Sequence, residues 1–230
     1  MPSILETIRQ YGYRFPPVES ALKEPDGLLA SGGDLNPGRI LQAYSQGIFP
    51  WYSPEDPILW WSPDPRCVLF TDELHISRSM RKWLKQHSYQ VTLDKAFSEV
   101  IAACAAPRAK QAGTWINADI QDAYCQLHNA NMAHSVEVWD KDQLVGGLYG
   151  IAIGSMFFGE SMFSKARNTS KLAFITLVEK LRTKGFSMID CQVYNPHLET
   201  LGARCIPREE FITVIQRQML RPNTMQWELP

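Results

Sequence analysis

The chain has 230 residues, and its 23 lysines and arginines against 24 aspartates and glutamates give a formal charge of −1. Overall charge therefore selects no polyanionic partner, and any nucleic-acid site has to be a local patch. With 45% hydrophobic and 20% charged residues the chain is too apolar for disorder and too mixed for a coiled coil, which suits one principal core with a small appendage.

The first fifteen residues, MPSILETIRQYGYRF, place Glu6 and Arg9 among the apolar positions, so no export signal is expected. Nowhere do about 18 apolar residues run without a charge, so no membrane span is expected either. Five cysteines (Cys67, Cys104, Cys125, Cys191 and Cys205) form no CxxC pair and make an odd total, which points to reduced thiols and a cytoplasmic protein.

Between residues 16 and 65 stand nine of the fifteen prolines, together with Trp51, Trp60 and Trp61. Regular elements must be short there. We read residues 1–65 as a small proline- and tryptophan-rich N-terminal lobe packed on a main domain of residues 66–230.

From Arg66 onward the periodicity becomes legible. RCVLF (66–70) and YQVTL (89–93) read as strands. Between them Ile76, Met80, Trp83 and Leu84 recur at helical spacing, with Arg78, Arg81, Lys82 and Lys85 on the other side. Asp94 is placed to cap a helix over about 95–105, and Ile120, Ala123, Tyr124 and Leu127 mark another after the loop Gly113-Thr114-Trp115. HSVEVWD and QLVGGLYGIAI read as a hairpin and SMFFGESMF as the next strand. Ser170 to Lys184, stopped by Gly185, reads as a helix, FSMIDCQV as a strand and Pro207 to Leu220 as a last helix. The strand, helix and strand from 155 to 193 make a crossover unit, expected to be parallel.

In MIDCQV a period of two puts Ile189, Cys191 and Val193 on one face and Asp190 and Gln192 on the other. A carboxylate and an amide inside so apolar a strand are costly unless they are hydrogen-bonded or line a wet cavity. Glu160 repeats the anomaly on the preceding strand, amid Met156, Phe157, Phe158, Met162 and Phe163. If the two strands diverge at one end, Glu160, Asp190 and Gln192 face a crevice floored by apolar side chains, suited to an apolar group bearing a cationic amine. The bland alternatives are that Asp190 and Gln192 satisfy loop amides, and that Glu160 pairs with Lys165 or Arg167 outside the core. Cys191 is expected to face away, as core. The histidines show no metal-ligand spacing, and neither a metal nor another cofactor is expected.

Longer stretches resemble a known family. DGLLASGGDL, AYSQGIFPWYSPEDPILWWSPDPR, LHISRSM, GTWI, AHSVEVW, LVGGLYG, FFGESMFS and IDCQVYNPHLETLGA are similar, in order, to the signatures of the leucyl/phenylalanyl-tRNA–protein transferases. The resemblance implies an α/β (α+β) fold, an acetyltransferase-like mixed sheet flanked by helices. It implies a reaction in which leucine or phenylalanine, methionine being a further candidate, moves from its tRNA to the N-terminal amine of a protein beginning with arginine or lysine, creating a degradation signal. It also implies that Asp190 and Gln192 carry catalysis, Gln192 touching the attacking amine and Asp190 orienting or polarising it; which of them takes the proton stays open. Glu160 would bind the α-ammonium of the donor, with Leu148, Phe157, Met162, Phe174, Leu181 and Ile189 as the side-chain pocket. Trp51 and Trp115 would flank the terminal adenosine and Asn195 would position the substrate. Arg78, Arg81, Lys82 and Lys85, a solvated helix face on composition alone, would grip the tRNA acceptor stem. The partners implied are aminoacyl-tRNA and an acceptor protein, with no membrane, and the protein is expected to be monomeric.

The resemblance agrees with the chemistry. An aminoacyl ester is already activated, and a free α-amine is partly neutral near pH 7. What remains is to hold the reactants together, where positioning supplies roughly 7–11 kcal/mol, and to remove a proton. One alternative is an acyl-CoA-dependent N-acyltransferase, but the turn FSKARNTSK has no glycine to let backbone N–H groups cradle a pyrophosphate. The other, a non-catalytic tRNA-binding module, explains the basic helix and the tryptophans but leaves Glu160, Asp190 and Gln192 idle.

Overall fold

The computed structural model describes residues 13–106, 114–223 and 225–228. The segment read for an export signal, as far as Gly12, and Gly113 of the tryptophan loop lie outside them. The N-terminal part contains β1 (Leu28–Ser31), α1 (Pro37–Tyr44), β2 (Phe49–Pro50) and β3 (Leu59–Trp61), the strands forming a small antiparallel sheet in the order β1-β3-β2. The rest of the chain builds β4 (Arg66–Phe70), α2 (Arg78–Gln86), β5 (Gln90–Leu93), α3 (Phe97–Ala105), α4 (Ala118–Asn129), β6 (Ala133–Asp140), β7 (Gln143–Ile153) and β8 (Met156–Ser164). It finishes with α5 (Thr169–Thr183), β9 (Met188–Gln192), α6 (Pro196–Glu199), β10 (Arg204–Ile206) and α7 (Arg208–Gln218).

Seven of these strands form one mixed sheet in the order β10-β4-β9-β8-β7-β6-β5. All its neighbours are antiparallel except β8 and β9, the pair joined by the crossover helix α5. This is the helix-flanked mixed sheet that the resemblance implies. Each face carries its own apolar cluster: Val68, Phe97, Tyr124, Tyr149, Phe158 and Phe211 pack on one, and Leu69, Leu148, Phe157, Phe174, Leu177 and Ile189 on the other. Ile40, Tyr44, Phe49 and Trp60 belong to the first cluster, so the small sheet shares its core with the large one. Among the described residues no helix is long and apolar enough to cross a membrane.

Local signals explain most boundaries. Ser77 and Asn117 cap α2 and α4 by accepting from Met80 N–H at 3.2 Å and Ile120 N–H at 3.0 Å. Gly185, at φ +81°, ends α5 in the left-handed conformation that favours glycine. Asp94 corrects the reading of α3. That helix starts at Phe97 with Ala96 at its N-cap, while Asp94, itself at φ +55°, accepts from Ser135 N–H and binds His134 Nδ1 at 2.6 Å. The buried Glu137 of β6 faces the N–H groups of Lys95 and Ala96 instead, so the cap comes from a neighbouring strand.

Candidate active site

The chemistry gathers where β8 and β9 separate. Their parallel ladder runs from Met156↔Met188 to Phe158↔Asp190 and stops, although β8 continues to Ser164. Both strands bulge at that point. On β8, Gly159 opposes Gly150 and Ser161 opposes Tyr149, leaving Glu160 as the extra residue. On β9, Asp190 opposes Val68 and Gln192 opposes Cys67, leaving Cys191 extra. A bulge bends its strand and re-aims side chains, so these two largely apolar strands part at the level of their polar residues and open a slot.

The period of two survives at Cys191: it packs with Ile189 and Cys67 against the second apolar cluster, while Asp190 and Gln192 find their partners on the opposite face. Its side chain is half-buried and also lines the cavity. Contact with the Cys67 thiol and burial push the Cys191 thiol well above its ordinary range, so it is protonated and a poor nucleophile.

A cavity of about 810 Å³ fills the gap. Leu148, Phe157, Met162, Phe174 and Ile189 line it as expected, beside Glu160, Asp190, Gln192 and Asn195. Trp51 and Trp115 line it too, Trp51 remaining 43% exposed. Leu181 does not: it is fully buried behind the wall, and Leu177, one turn earlier on α5, takes the place assigned to it, with Leu198 adding to the lining. The helical stripe marked the buried face of α5 correctly, but only its second and third turns, at Phe174 and Leu177, reach the slot. Asn195 is also the N-cap of α6, its Oδ1 accepting from His197 N–H at 2.8 Å.

Glu160 is the centre of the polar group. Its Oε1 accepts from Tyr44 Oη at 2.5 Å and Gln192 Nε2 at 3.1 Å, and its Oε2 accepts from Tyr124 Oη at 3.0 Å. Burial is the main cause that pushes its pKa up to about 7, helped by the charge of Asp190 and opposed by the two tyrosines and Gln192. Burial and the nearby Glu160 hold both phenols well above their usual range, so they remain neutral donors. The alternative pairing with Lys165 or Arg167 does not occur.

Asp190 is fully buried and its two oxygens are engaged: Arg66 Nε reaches Oδ1 at 2.8 Å and Arg66 Nη2 reaches Oδ2 at 2.7 Å. The guanidinium is held in turn by the Gly47 carbonyl at 3.1 Å and by the rings of Phe49 and Phe211. Asp190 Oδ1 also accepts from Gln192 N–H at 2.9 Å, and Gln192 sits at φ +63°. The carboxylate thus fixes a left-handed backbone at Gln192, a conformation of order 1–3 kcal/mol above the usual ones for a side chain of this kind. Gln192 can then turn its carboxamide toward Glu160.

Sequence reasoning missed Arg66, Tyr44 and Tyr124. Arg66 carried a signal, being the one charge at the head of the apolar strand RCVLF. The tyrosines carried none, since on a helix face they read as core. Arg78, Arg81, Lys82 and Lys85 all lie exposed on α2 and contribute nothing to the cavity lining. The turn after β8 is filled by its own side chains, Thr169 Oγ1 donating to the Val145 carbonyl at 2.9 Å and lying 2.9 Å from Ser164 Oγ.

An apolar cavity with a carboxylate of raised pKa and a carboxamide among its lining is the make-up of an enzyme's small-molecule site. Comparison with known proteins narrows this to a family. The family model described as leucyl/phenylalanyl-tRNA protein transferase matches residues 68–216, and the model for the N-terminal domain of the same family matches 33–64. A leucyl/phenylalanyl-tRNA–protein transferase of Stutzerimonas stutzeri is 56% identical over 224 residues, 97% of this chain and 99% of that one. One of Pseudomonas fluorescens (strain Pf-5) is 58% identical over 213 residues, covering 93% of this chain and 94% of its own. The chain belongs to the leucyl/phenylalanyl-tRNA–protein transferase family. Among solved structures, that of L-PGS from Bacillus licheniformis has a TM-score of 0.41 at 12% identity, covering 68% of this chain and 50% of that one, too slight a likeness to argue from.

Proposed function

We propose that the chain transfers leucine or phenylalanine from its tRNA to the N-terminal amine of a protein beginning with arginine or lysine, acting as a cytoplasmic monomer whose product marks that protein for degradation. The observation that carries this reading is the meeting of Glu160 and Gln192 at the mouth of an apolar slot, in a chain of this family. In the reaction the acceptor nitrogen attacks the ester carbonyl carbon, a C–N bond forms, the C–O bond to the terminal ribose breaks, and the amine proton ends on the ribose oxygen.

The donor side chain fits among Leu148, Phe157, Met162, Phe174 and Ile189, and its α-ammonium meets Glu160. An incoming ammonium favours the charged carboxylate, so donor binding ionises Glu160 and the pair forms in a site where opposite charges interact strongly. Gln192 contacts the attacking amine, while Asp190 acts through the backbone it holds and through Arg66. Trp51 and Trp115 flank the terminal adenosine, where stacking contributes roughly 1–3 kcal/mol per base. Asn195 positions the substrate, and Arg78, Arg81, Lys82 and Lys85 hold the acceptor stem through its backbone.

Single-turnover transfer of labelled phenylalanine from tRNA to a peptide beginning with arginine tests the reading. Transfer that depends on an N-terminal arginine or lysine supports it. A chain that binds the charged tRNA yet forms no peptide bond sinks it.

A further inference from the structure

The C-terminal residues past α7 return to the underside of the donor pocket. Trp227 is only 7% exposed and lies flat on the His134 ring, with centroids 3.7 Å apart and planes 5° from parallel. His134 is itself fully buried and anchored through Nδ1 to Asp94 Oδ2 at 2.6 Å, so the plane on which the indole rests is fixed from below. The neighbouring backbone is fastened as well: Lys180 Nζ donates to the Glu228 carbonyl at 2.5 Å, and Met225 N–H donates to Asn223 Oδ1 at 3.0 Å.

The edge of the indole meets a residue of the cavity. The rings of Trp227 and Phe157 are 5.8 Å apart and tilted by 37°. Phe157 is 1% exposed and lines the slot. A Cβ built at Gly150 would come within 2.6 Å of Phe157 Cε1 and Cζ, so the Phe157 ring occupies the space that a side chain at position 150 would need. His134 opposes Gly150 in the β6–β7 ladder, which places the indole beside that space. The Phe157 ring is therefore packed against the Gly150 backbone on one side and stopped by Trp227 on another.

We infer that Trp227 is a specificity-determining residue for the donor amino acid: it acts through Phe157 to fix the depth of the side-chain pocket. This rests on the transfer reaction proposed above. A protein interior leaves few voids, and a large-to-small change behind a wall is answered by partial collapse of that wall. With the stop gone, the Phe157 ring moves away from the slot, and the pocket deepens by part of the volume of an indole. Binding discrimination between apolar side chains that differ by one or a few carbons is worth 10–200-fold, so a modest change of depth registers in the choice of donor.

The test compares phenylalanyl-, leucyl- and tryptophanyl-tRNA as donors, with an arginine-initiated peptide as acceptor, for the natural chain and for Trp227→Phe, Trp227→Leu and Trp227→Ala. The expected result is a graded rise in the tryptophan-to-phenylalanine ratio of kcat/KM, on the order of tenfold for Trp227→Ala and small for Trp227→Phe, carried by KM rather than kcat. Should Trp227→Ala fail to fold, the Phe and Leu variants still give the graded comparison. Folded variants whose thermal stability drops while the donor ratio stays at the natural value would overturn the inference, because a merely structural tail moves stability alone. A natural chain that transfers neither leucine nor phenylalanine would sink the proposed reaction instead.

Discussion

Gln192 Nε2 donates to Glu160 Oε1 across 3.1 Å, joining two strands at a height where they no longer share a ladder. Each residue lies at or beside a bulge, and neither could reach the other from a regular parallel pair. Glu160 is held on its other sides by two phenols, so Gln192 is its remaining protein partner facing the slot.

Replacing Gln192 by alanine removes the carboxamide from the slot while leaving Trp51, Trp115 and α2 untouched. Single-turnover transfer should slow by on the order of 100-fold, the effect of losing one preorganised polar contact at a reacting centre. Affinity for the charged tRNA, measured by filter binding, should stay within about threefold. Lost tRNA binding with an unchanged rate in the bound state would count against the assignment.

The buried pair of Arg66 and Asp190 should behave differently when broken and when deleted. Arg66→Met strands a carboxylate in the core and should cost about 3–5 kcal/mol in denaturant unfolding, as should Asp190→Ala, which strands the guanidinium. The double change Arg66→Met with Asp190→Leu should recover most of that loss and still transfer poorly, because nothing then holds Gln192 at φ +63°. Full activity in the stable double variant would show that the pair serves folding alone.

Glu160 predicts a pH dependence of stability. Its pKa is raised from 4.5 to about 7 in the folded chain, so the folded state favours the protonated form. The contribution is fully present below pH 4.5, is lost as pH rises through 7, and amounts to about 3 kcal/mol across that window. Glu160→Gln cannot ionise. Its melting temperature relative to the natural chain should therefore rise between pH 4.5 and pH 8, while its affinity for an aminoacyl-adenosine falls. A melting difference that does not change with pH would contradict the raised pKa of the buried Glu160.

Charge reversal at Arg78 and Lys82 should raise the tRNA concentration needed for half-maximal transfer and reduce the slope of log affinity against log salt by about 2, with the rate at saturating tRNA preserved. Both side chains are exposed and away from the slot. An unchanged slope would remove α2 from the tRNA site.

Much of this molecule was legible in the order of its residues. Alternation and helical spacing located the β6–β7 hairpin, the crossover through α5 and the closing helix within a residue or two, because burial on one face imposes a period and the period survives in the sequence. Glu160, Asp190 and Gln192 stood out for the same reason: polar groups inside apolar strands carry a desolvation cost that only a cavity or a partner offsets. What the residues could not reveal was which of these offsets applied to each.

Tertiary structure decided that. Asp190 is satisfied by Arg66, 124 positions earlier, and Glu160 by Tyr44, 116 positions earlier, together with Tyr124. No periodicity links residues so far apart. The two bulges, at which β8 and β9 part and Glu160 comes within reach of Gln192, depend on strand register, and register is set by the pairing of whole strands rather than by any local motif. Local sequence determined which residues had to be buried or exposed within each element; only the packing of distant elements determined which polar atoms met, because a hydrogen bond needs its partner within about 3 Å wherever along the chain that partner arises.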